Sequence, residues 1–345
     1  MNLHFDDTAF RELVELSADH FGFEHSHVEK DYWVCKILKE LTFSEFQPNI
    51  FFKGGTSLSK AYGIIDRFSE DLDLFVYSGN PLSSKQAEKT LNRHVSHFII
   101  GNNNELYKKE LSKTGGDFRK LAFSYDTHYA GAGLKENLEV EIKCCTLPDK
   151  SLMYYPFQQR LITSIITEYL TINRRQDLIS RFLLEAFKVQ TIDPKRTLCD
   201  KISRLTRLSY NKNYEVLISK HIRDIYDIYR LLEIEEYRDF INSKEFINAM
   251  KLVTEEDGLY RNSQTLRSVS EALIFAQTKQ ILKLPIISKA YNEELRQLMF
   301  NVIEMPLIEQ VIENFSILQI PLKQFDAAQK ITPRLSHSVK TKKGN

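Results

Sequence analysis

Two short stretches constrain this chain more than anything else in it. Phe52-Lys53-Gly54-Gly55-Thr56-Ser57-Leu58-Ser59-Lys60 is followed by Arg67-Phe68-Ser69-Glu70-Asp71-Leu72-Asp73-Leu74. Asn49 to Lys53 reads as a strand closed by Gly54-Gly55. Thr56 or Ser57 can cap a short helix running to Tyr62. Two glycines between a strand and a helix let backbone N–H groups approach a ligand closely. The helix N-terminus behind them favours an anion such as phosphate, and Ser57 adds a hydroxyl donor. Lys53 and Arg67 are read either as substrate contacts or as helix-end charges.

Leu72 to Val76 reads as a second strand, whose period of two puts Asp71 and Asp73 on one face and Leu72 and Leu74 on the other. Neighbouring carboxylates repel unless a cation sits between them. Mg²⁺, or Mn²⁺ in its place, takes oxygen ligands and keeps contact with substrate phosphates. A third carboxylate can come from a strand over Leu138 to Thr146. Glu141 lies there between apolar neighbours, and Glu139, facing the same way, is its rival. Three carboxylates can hold two ions that bridge attacking and leaving oxygens. A lone DxD is usually a surface strand and a lone GG a turn. The order strand, GGTS, helix, then a DxD beginning fourteen residues after Ser57 is far more specific, and it indicates a phosphate and metal site.

This combination resembles the polymerase-β-like nucleotidyltransferase signature. With Glu29-Lys30-Asp31-Tyr32-Trp33 before it, and Thr197-Leu198-Cys199-Asp200-Lys201 and Arg223-Asp224-Ile225-Tyr226-Asp227 after it, the chain is similar to the AbiEii/AbiGii toxin family of bacterial nucleotidyltransferases. The matches run from about residue 28 to 230. The order of elements gives an α+β fold, a small mixed sheet with helices and then an α-helical C-terminal lobe that completes a cleft, and the resemblance makes its core polymerase-β-like. The resemblance implies that Gly54, Gly55, Thr56, Ser57, Lys53 and Lys201 bind the NTP. It makes Asp71, Asp73, Lys201 and Asp224 the catalytic set, with Asp71 and Asp73 as metal ligands, to which the reading of the later strand adds Glu141. Asp227, at i+3 from Asp224 on a helical turn, is the rival of Asp224. One departure is Asp200, where the family commonly has Glu; the charge is kept.

The implied activity is Mg²⁺-dependent transfer of NMP from an NTP to an acceptor hydroxyl. RNA, particularly the tRNA 3′ end, is the expected acceptor, within a toxin–antitoxin or phage-defence system that supplies a cognate antitoxin. A small-molecule or protein acceptor is the second reading. A nucleotide- or RNA-binding protein without turnover is the third, and the joint presence of Ser57, Asp71, Asp73 and Lys201 argues against it.

Charge bears on the acceptor. The 345 residues carry 47 Lys and Arg against 46 Asp and Glu, so no global field draws the chain to nucleic acid. From Arg174 to Arg223, however, twelve basic residues face five acidic ones. That excess suits RNA phosphates, and it equally suits a solvated helical face. An acidic pocket for a cationic small molecule would need the opposite sign.

The rest of the chain frames these motifs. Helices are expected over Phe10 to Phe21, Val28 to Leu41, Lys85 to Ile99 and Phe157 to Leu170. Strands are expected over Arg119 to Tyr125 and Ala186 to Ile192. Asp193-Pro194 opens a helix, and helical periodicity continues to about residue 330. The expected division is a nucleotidyltransferase domain over 1–192, a helical domain over 193–336 and a flexible basic tail over 337–345. Lys30 and Asp31 are read as an ion pair bracing the N-terminal helix, Trp33 as core, and His221 as a core or capping histidine. Cys35, Cys144, Cys145 and Cys199 have no zinc spacing and read as buried thiols in a reducing cytoplasm. No window nears the ~18 apolar residues of a membrane span, and the acidic start does not read as a secretory signal.

Overall fold

Alternation of apolar and polar residues builds the sheet on which the motifs sit. The computed structural model describes residues 1–125, 127–129, 131, 134–146, 156–256 and 267–329. Among them, seven strands form one mixed sheet: β1 (Ile50–Lys53), β2 (Leu72–Val76), β3 (Lys113–Thr114), β4 (Phe118–Phe123), β5 (Leu138–Cys144), β6 (Phe157–Ile162) and β7 (Phe187–Ile192). Their order is β3-β4-β5-β2-β1-β7-β6. β1 is antiparallel to β2, while β2 with β5 and β1 with β7 are parallel.

Register sorts the side chains. Phe52, Leu72, Leu74, Val140 and Ile142 are fully buried on one face, under α1 (Asp7–Phe21) and α2 (His25–Thr42). In β5, Leu138, Val140, Ile142 and Cys144 are buried while Glu139, Glu141 and Lys143 between them stay partly exposed. The register pairs Lys53 with Asp73, Asp73 with Glu141, and Glu141 with Lys120, one charged row across four strands on the other face. Further along that face Phe51, Phe75 and Tyr77 form a small apolar cluster with Leu252.

α3 (Gly54–Lys60) follows β1 without a linker, and α4 (Lys85–Asn102) is capped by Ser84, whose hydroxyl accepts from Ala87 N–H. The structure corrects the helix expected over Phe157 to Leu170. Its first half is β6, an edge strand antiparallel to β7, and only α5 (Ile165–Ile172) is helical. Phe157 and Leu161 of β6 are exposed, so their spacing reflects no core-facing helix. The chain then runs through α6 (Gln176–Arg181) and β7 into helices. Asp193 caps α7 (Pro194–Ser209) with Pro194 in its first turn. α8 (Tyr214–Ser219), α9 (Ile222–Leu232), α10 (Glu235–Ile241) and α11 (Lys244–Glu256) follow, then shorter helical segments to Ala328. The basic tail expected over 337–345 lies outside the described residues.

The buried apolar residues form two large clusters. One joins α1, α2 and the sheet; the other is built from the helices after Pro194. The second also takes in Leu58, Ile64 and Ile65, from the segment that joins the two halves of the motif. That segment is tied to the far end of the chain: Phe68 N–H donates to Leu298 O (2.6 Å), Phe300 N–H donates to Asp66 O (3.0 Å), and Arg67 bridges Met299.

Candidate active site

The polar face of the sheet and the N-terminal turns of the helical region enclose a cleft of about 860 Å³. Lys53, Gly55, Asp71, Asp73 and Glu141 line its sheet side. Lys201 and Arg204 of α7, and Lys220, His221, Arg223 and Asp224 around the start of α9, line the other. Residues chosen from three separated segments of sequence therefore meet in one place.

The glycine turn is fitted to the carboxylates behind it. Gly54 has φ +80°, and a Cβ there would lie 2.7 Å from Asp73 Cγ. A Cβ on Gly55 would lie 2.8 Å from Arg67 Nη2. Both positions exclude a side chain, and Gly54 also uses a backbone conformation that disfavours one. Thr56 and Ser57 depart from their expected places. The helix begins at Gly54, so both sit inside it rather than capping it, and both are buried. Ser57 Oγ donates back to Gly54 O (2.9 Å). Thr56 Oγ1 reaches Ser69 Oγ (3.0 Å) and donates to Asp71 O, tying the helix to the DxD segment.

The acidic candidates divide into two kinds. Asp73 and Glu141 are register partners on β2 and β5, and among the described residues neither carries an ion pair. Burial, then the charge of Glu141, pushes the Asp73 carboxyl up to about 7. Asp71 sits just before β2 and is neutralised: Lys135 Nζ donates to Oδ1 (2.7 Å) and Oδ2 (2.9 Å). Burial alone would raise its pKa, but Lys135 outweighs that and holds it below the usual range. Glu139 is bound by Lys120 (2.6 Å) and Lys135 (2.5 Å). Thus Glu141, not Glu139, stands open beside Asp73.

Among the described residues no three His, Cys, Asp or Glu side chains converge as a ready-made metal cluster. The donor set still fits a hard divalent cation. Two adjoining carboxylates have no direct ion pair among the described residues, with Lys53 and Lys120 flanking them in the register, and a third carboxylate is held by an ammonium next to them. Asp73 and Glu141 would be its first ligands, with Asp71 available once released.

On the helical side, Lys201 Nζ binds Asp224 Oδ1 (2.7 Å) and Asp227 Oδ2 (2.8 Å). Arg204 also pairs with Asp224 (3.3 Å). Burial would raise the Asp224 pKa, but Arg204 and Lys201 hold it well below the carboxylate range. Asp224 faces the cleft, whereas Asp227 is wholly buried in a two-bond contact with Arg67 (2.7 and 2.6 Å). Arg67 is therefore an internal tie, 2% exposed, rather than a helix-end charge. Lys53 pairs with Asp200 (3.3 Å) at the cleft wall. His221 Nδ1 contacts Leu217 O (2.9 Å), a local turn contact.

The expected Lys30–Asp31 pair is not formed. Lys30, fully buried, binds Glu70 (2.8 Å), and Asp31 binds Lys60 (2.5 Å). Trp33 packs in the core and all four cysteines are buried and free. Lys135 and Arg204 lie in no motif and Glu70 stands in the DxD stretch without an assigned role; only the tertiary contacts reveal their part.

A family model described as nucleotidyl transferase AbiEii toxin, type IV toxin–antitoxin system, matches residues 36–328. Among solved structures, MenT4, a nucleotidyltransferase toxin from Mycobacterium tuberculosis H37Rv, is similar in fold. The TM-score is 0.52 at 16% identity, over 91% of this chain and 93% of that one. No curated protein sequence matches at a significant level. Glycine turn, carboxylate row and helical basic wall thus occur in a chain that belongs to the AbiEii nucleotidyl transferase toxin family of type IV toxin–antitoxin systems.

Proposed function

We propose that this nucleotidyltransferase uses Mg²⁺, or Mn²⁺, to transfer NMP from an NTP to a hydroxyl of RNA, with the tRNA 3′ end as acceptor. Its activity as a toxin is held in check by a cognate antitoxin, in the cytoplasm and in defence against phage. The observation that carries this reading is one cleft in which two carboxylates without an ion pair among the described residues meet basic side chains from both walls. Asp73 and Glu141 lie on the sheet side, and Lys201, Arg204, Arg207, Lys220 and Arg223 on the other. A triphosphate needs cations, and the reacting centre needs carboxylates that bind them.

Asp71, Asp73 and Glu141 would hold the metal. Bound there, a divalent cation would supply Lewis-acid polarisation of the phosphoryl oxygen and would lower the pKa of an attacking hydroxyl. The chain's own groups orient the rest. Lys53 and Gly55 at the cleft wall support assigning the triphosphate to the Gly54-Gly55-Thr56-Ser57 turn. Lys201, steadied by Asp224 and Asp227, is placed to neutralise leaving pyrophosphate. Arg207 and Lys220 are exposed at the cleft margin and, among the described residues, have no ion pair, which suits an RNA backbone.

The test is labelling. Purified protein is incubated with Mg²⁺, each α-³²P NTP in turn and total bacterial RNA, beside Asp73→Ala. The expected result is a labelled tRNA-sized band, absent with Asp73→Ala. Label on protein would keep the chemistry and discard RNA. NTP binding with no label anywhere would point to a small-molecule acceptor.

A further inference from the structure

The carboxylates at the head of the cleft are unevenly supplied with counter-charge. Asp73 and Glu141 have no ion pair among the described residues, whereas both oxygens of Asp71 are taken by one ammonium, that of Lys135. We infer that Lys135 is a built-in counter-cation that occupies Asp71 in the metal-free protein and must let go before a divalent cation can use all three carboxylates. This rests on the proposed metal site.

Lys135 is placed by its backbone, not by chance contact of a long side chain. Its N–H donates to Glu70 Oε2 (2.8 Å), and its carbonyl accepts from Lys30 Nζ (2.5 Å). Lys30 Nζ also donates to that same Glu70 oxygen (2.8 Å). Lys30 is fully buried and Glu70 is 2% exposed, so the clamp is an internal ion pair. Glu70 is the neighbour of Asp71 in sequence and is also reached by Arg223 (3.4 Å). The clamp thus fixes the main chain of Lys135 relative to the DxD segment and leaves the side chain to point at Asp71.

The side chain itself can leave. It is 36% exposed, and an ammonium on four methylenes is a mobile, readily hydrated charge. Departure would strand only one carboxylate. Glu139, the other partner of Lys135, keeps Lys120 at 2.6 Å. Asp71 alone is freed, beside the open pair.

The test measures Mn²⁺ binding to the full chain without nucleotide, by the loss of the free-ion electron paramagnetic resonance signal. Wild type is compared with Lys135→Met, Lys135→Gln, Lys135→Arg, Lys120→Met and Asp73→Asn. If the occupied state holds most of the population, removing it tightens the apparent Kd by about tenfold. Lys135→Met and Lys135→Gln should do so, and Asp73→Asn added to either should abolish the gain. Lys135→Arg should bind no tighter than wild type. Lys120→Met, which removes a nearby charge without touching Asp71, should shift the Kd less than about twofold; an equal gain there would reduce the effect to general charge and overturn the proposal. Melting gives the second readout. Lys135→Met should melt lower than wild type in EDTA and be raised more by Mn²⁺. A lower melting point that Mn²⁺ does not restore would make Lys135 a plain brace. Unchanged or weaker Mn²⁺ binding in both neutral variants, with Asp73→Asn still abolishing binding, would overturn the lysine's role and leave the metal site standing. Binding indifferent to Asp73→Asn in every variant would overturn both.

Discussion

Asp73 is the residue at which fold and chemistry conflict most. It is walled by Gly54 on one side and Glu141 on the other, with its pKa raised from 3.8 to about 7. A carboxyl whose folded pKa is raised favours the fold while protonated. Its contribution is full below about 4 and is lost as pH rises through about 7. Asp71, Asp224 and Asp227 have lowered values and work with the opposite sign, below about 4. Stability of the wild type relative to Asp73→Asn should therefore fall between pH 4 and 7 in EDTA. Urea midpoints across that range test it, and a constant difference would contradict the raised value. Some of this was legible in the sequence. The period of two gave the common face of Asp71 and Asp73, and left Glu139 and Glu141 equivalent. Their distinction comes from two lysines, Lys120 and Lys135, which belong to no motif. Asp224 and Asp227 were likewise one helical turn apart until packing sent the first to the cleft and the second to Arg67, 160 residues away in sequence.

Among the elements, β2 emerges with the boundaries read from the sequence, because a short apolar run broken only by Asp73 suits a central strand buried on both faces. β6 does not, because an edge strand with both faces partly wet carries little alternation, and its exposed Phe157 and Leu161 imitate a helical spacing. α3 is seven residues long and gains little from helix propensity alone. Its placement depends on Thr56, whose hydroxyl joins it to Ser69 and to the Asp71 carbonyl. Thr56→Val keeps the shape and removes the bonds. It should cost roughly 1–3 kcal/mol, the range for a buried polar group left unsatisfied. Nucleotidyl transfer should fall along with the urea midpoint, because the DxD segment loses its link to the glycine turn. Full activity in a protein of unchanged stability would contradict this.

Across the whole molecule, the basic excess between Arg174 and Arg223 is dispersed rather than gathered. Arg175 pairs with Asp177 and Arg181 with Asp6, Arg196 with Asp200 and Glu256, and Lys201 with Asp224 and Asp227. Among the described residues Arg174, Lys188, Arg207, Lys212 and Lys220 are exposed and have no ion pair, and of these Arg207 and Lys220 line the cleft. Composition could not make that distinction, since it counts charges without their partners. If RNA crosses this margin, Arg207→Ala with Lys220→Ala should weaken tRNA binding and lower the slope of log affinity against log salt by about 2. Titrations at several salt concentrations check it; an unchanged slope would place RNA elsewhere.

The pairing of Asp66, Arg67 and Phe68 with residues 298–300 also sets a timetable. During synthesis, the strands and the glycine turn emerge from the ribosome long before the segment that pins the approach to Asp71. Arg67 first lacks Asp227, then lacks Met299, and Leu58, Ile64 and Ile65 have no core to enter. A growing chain therefore carries every residue of its N-terminal motif without the assembled cleft. The cleft can close around its carboxylates only after residues 298–300 have been made and have paired with residues 66–68.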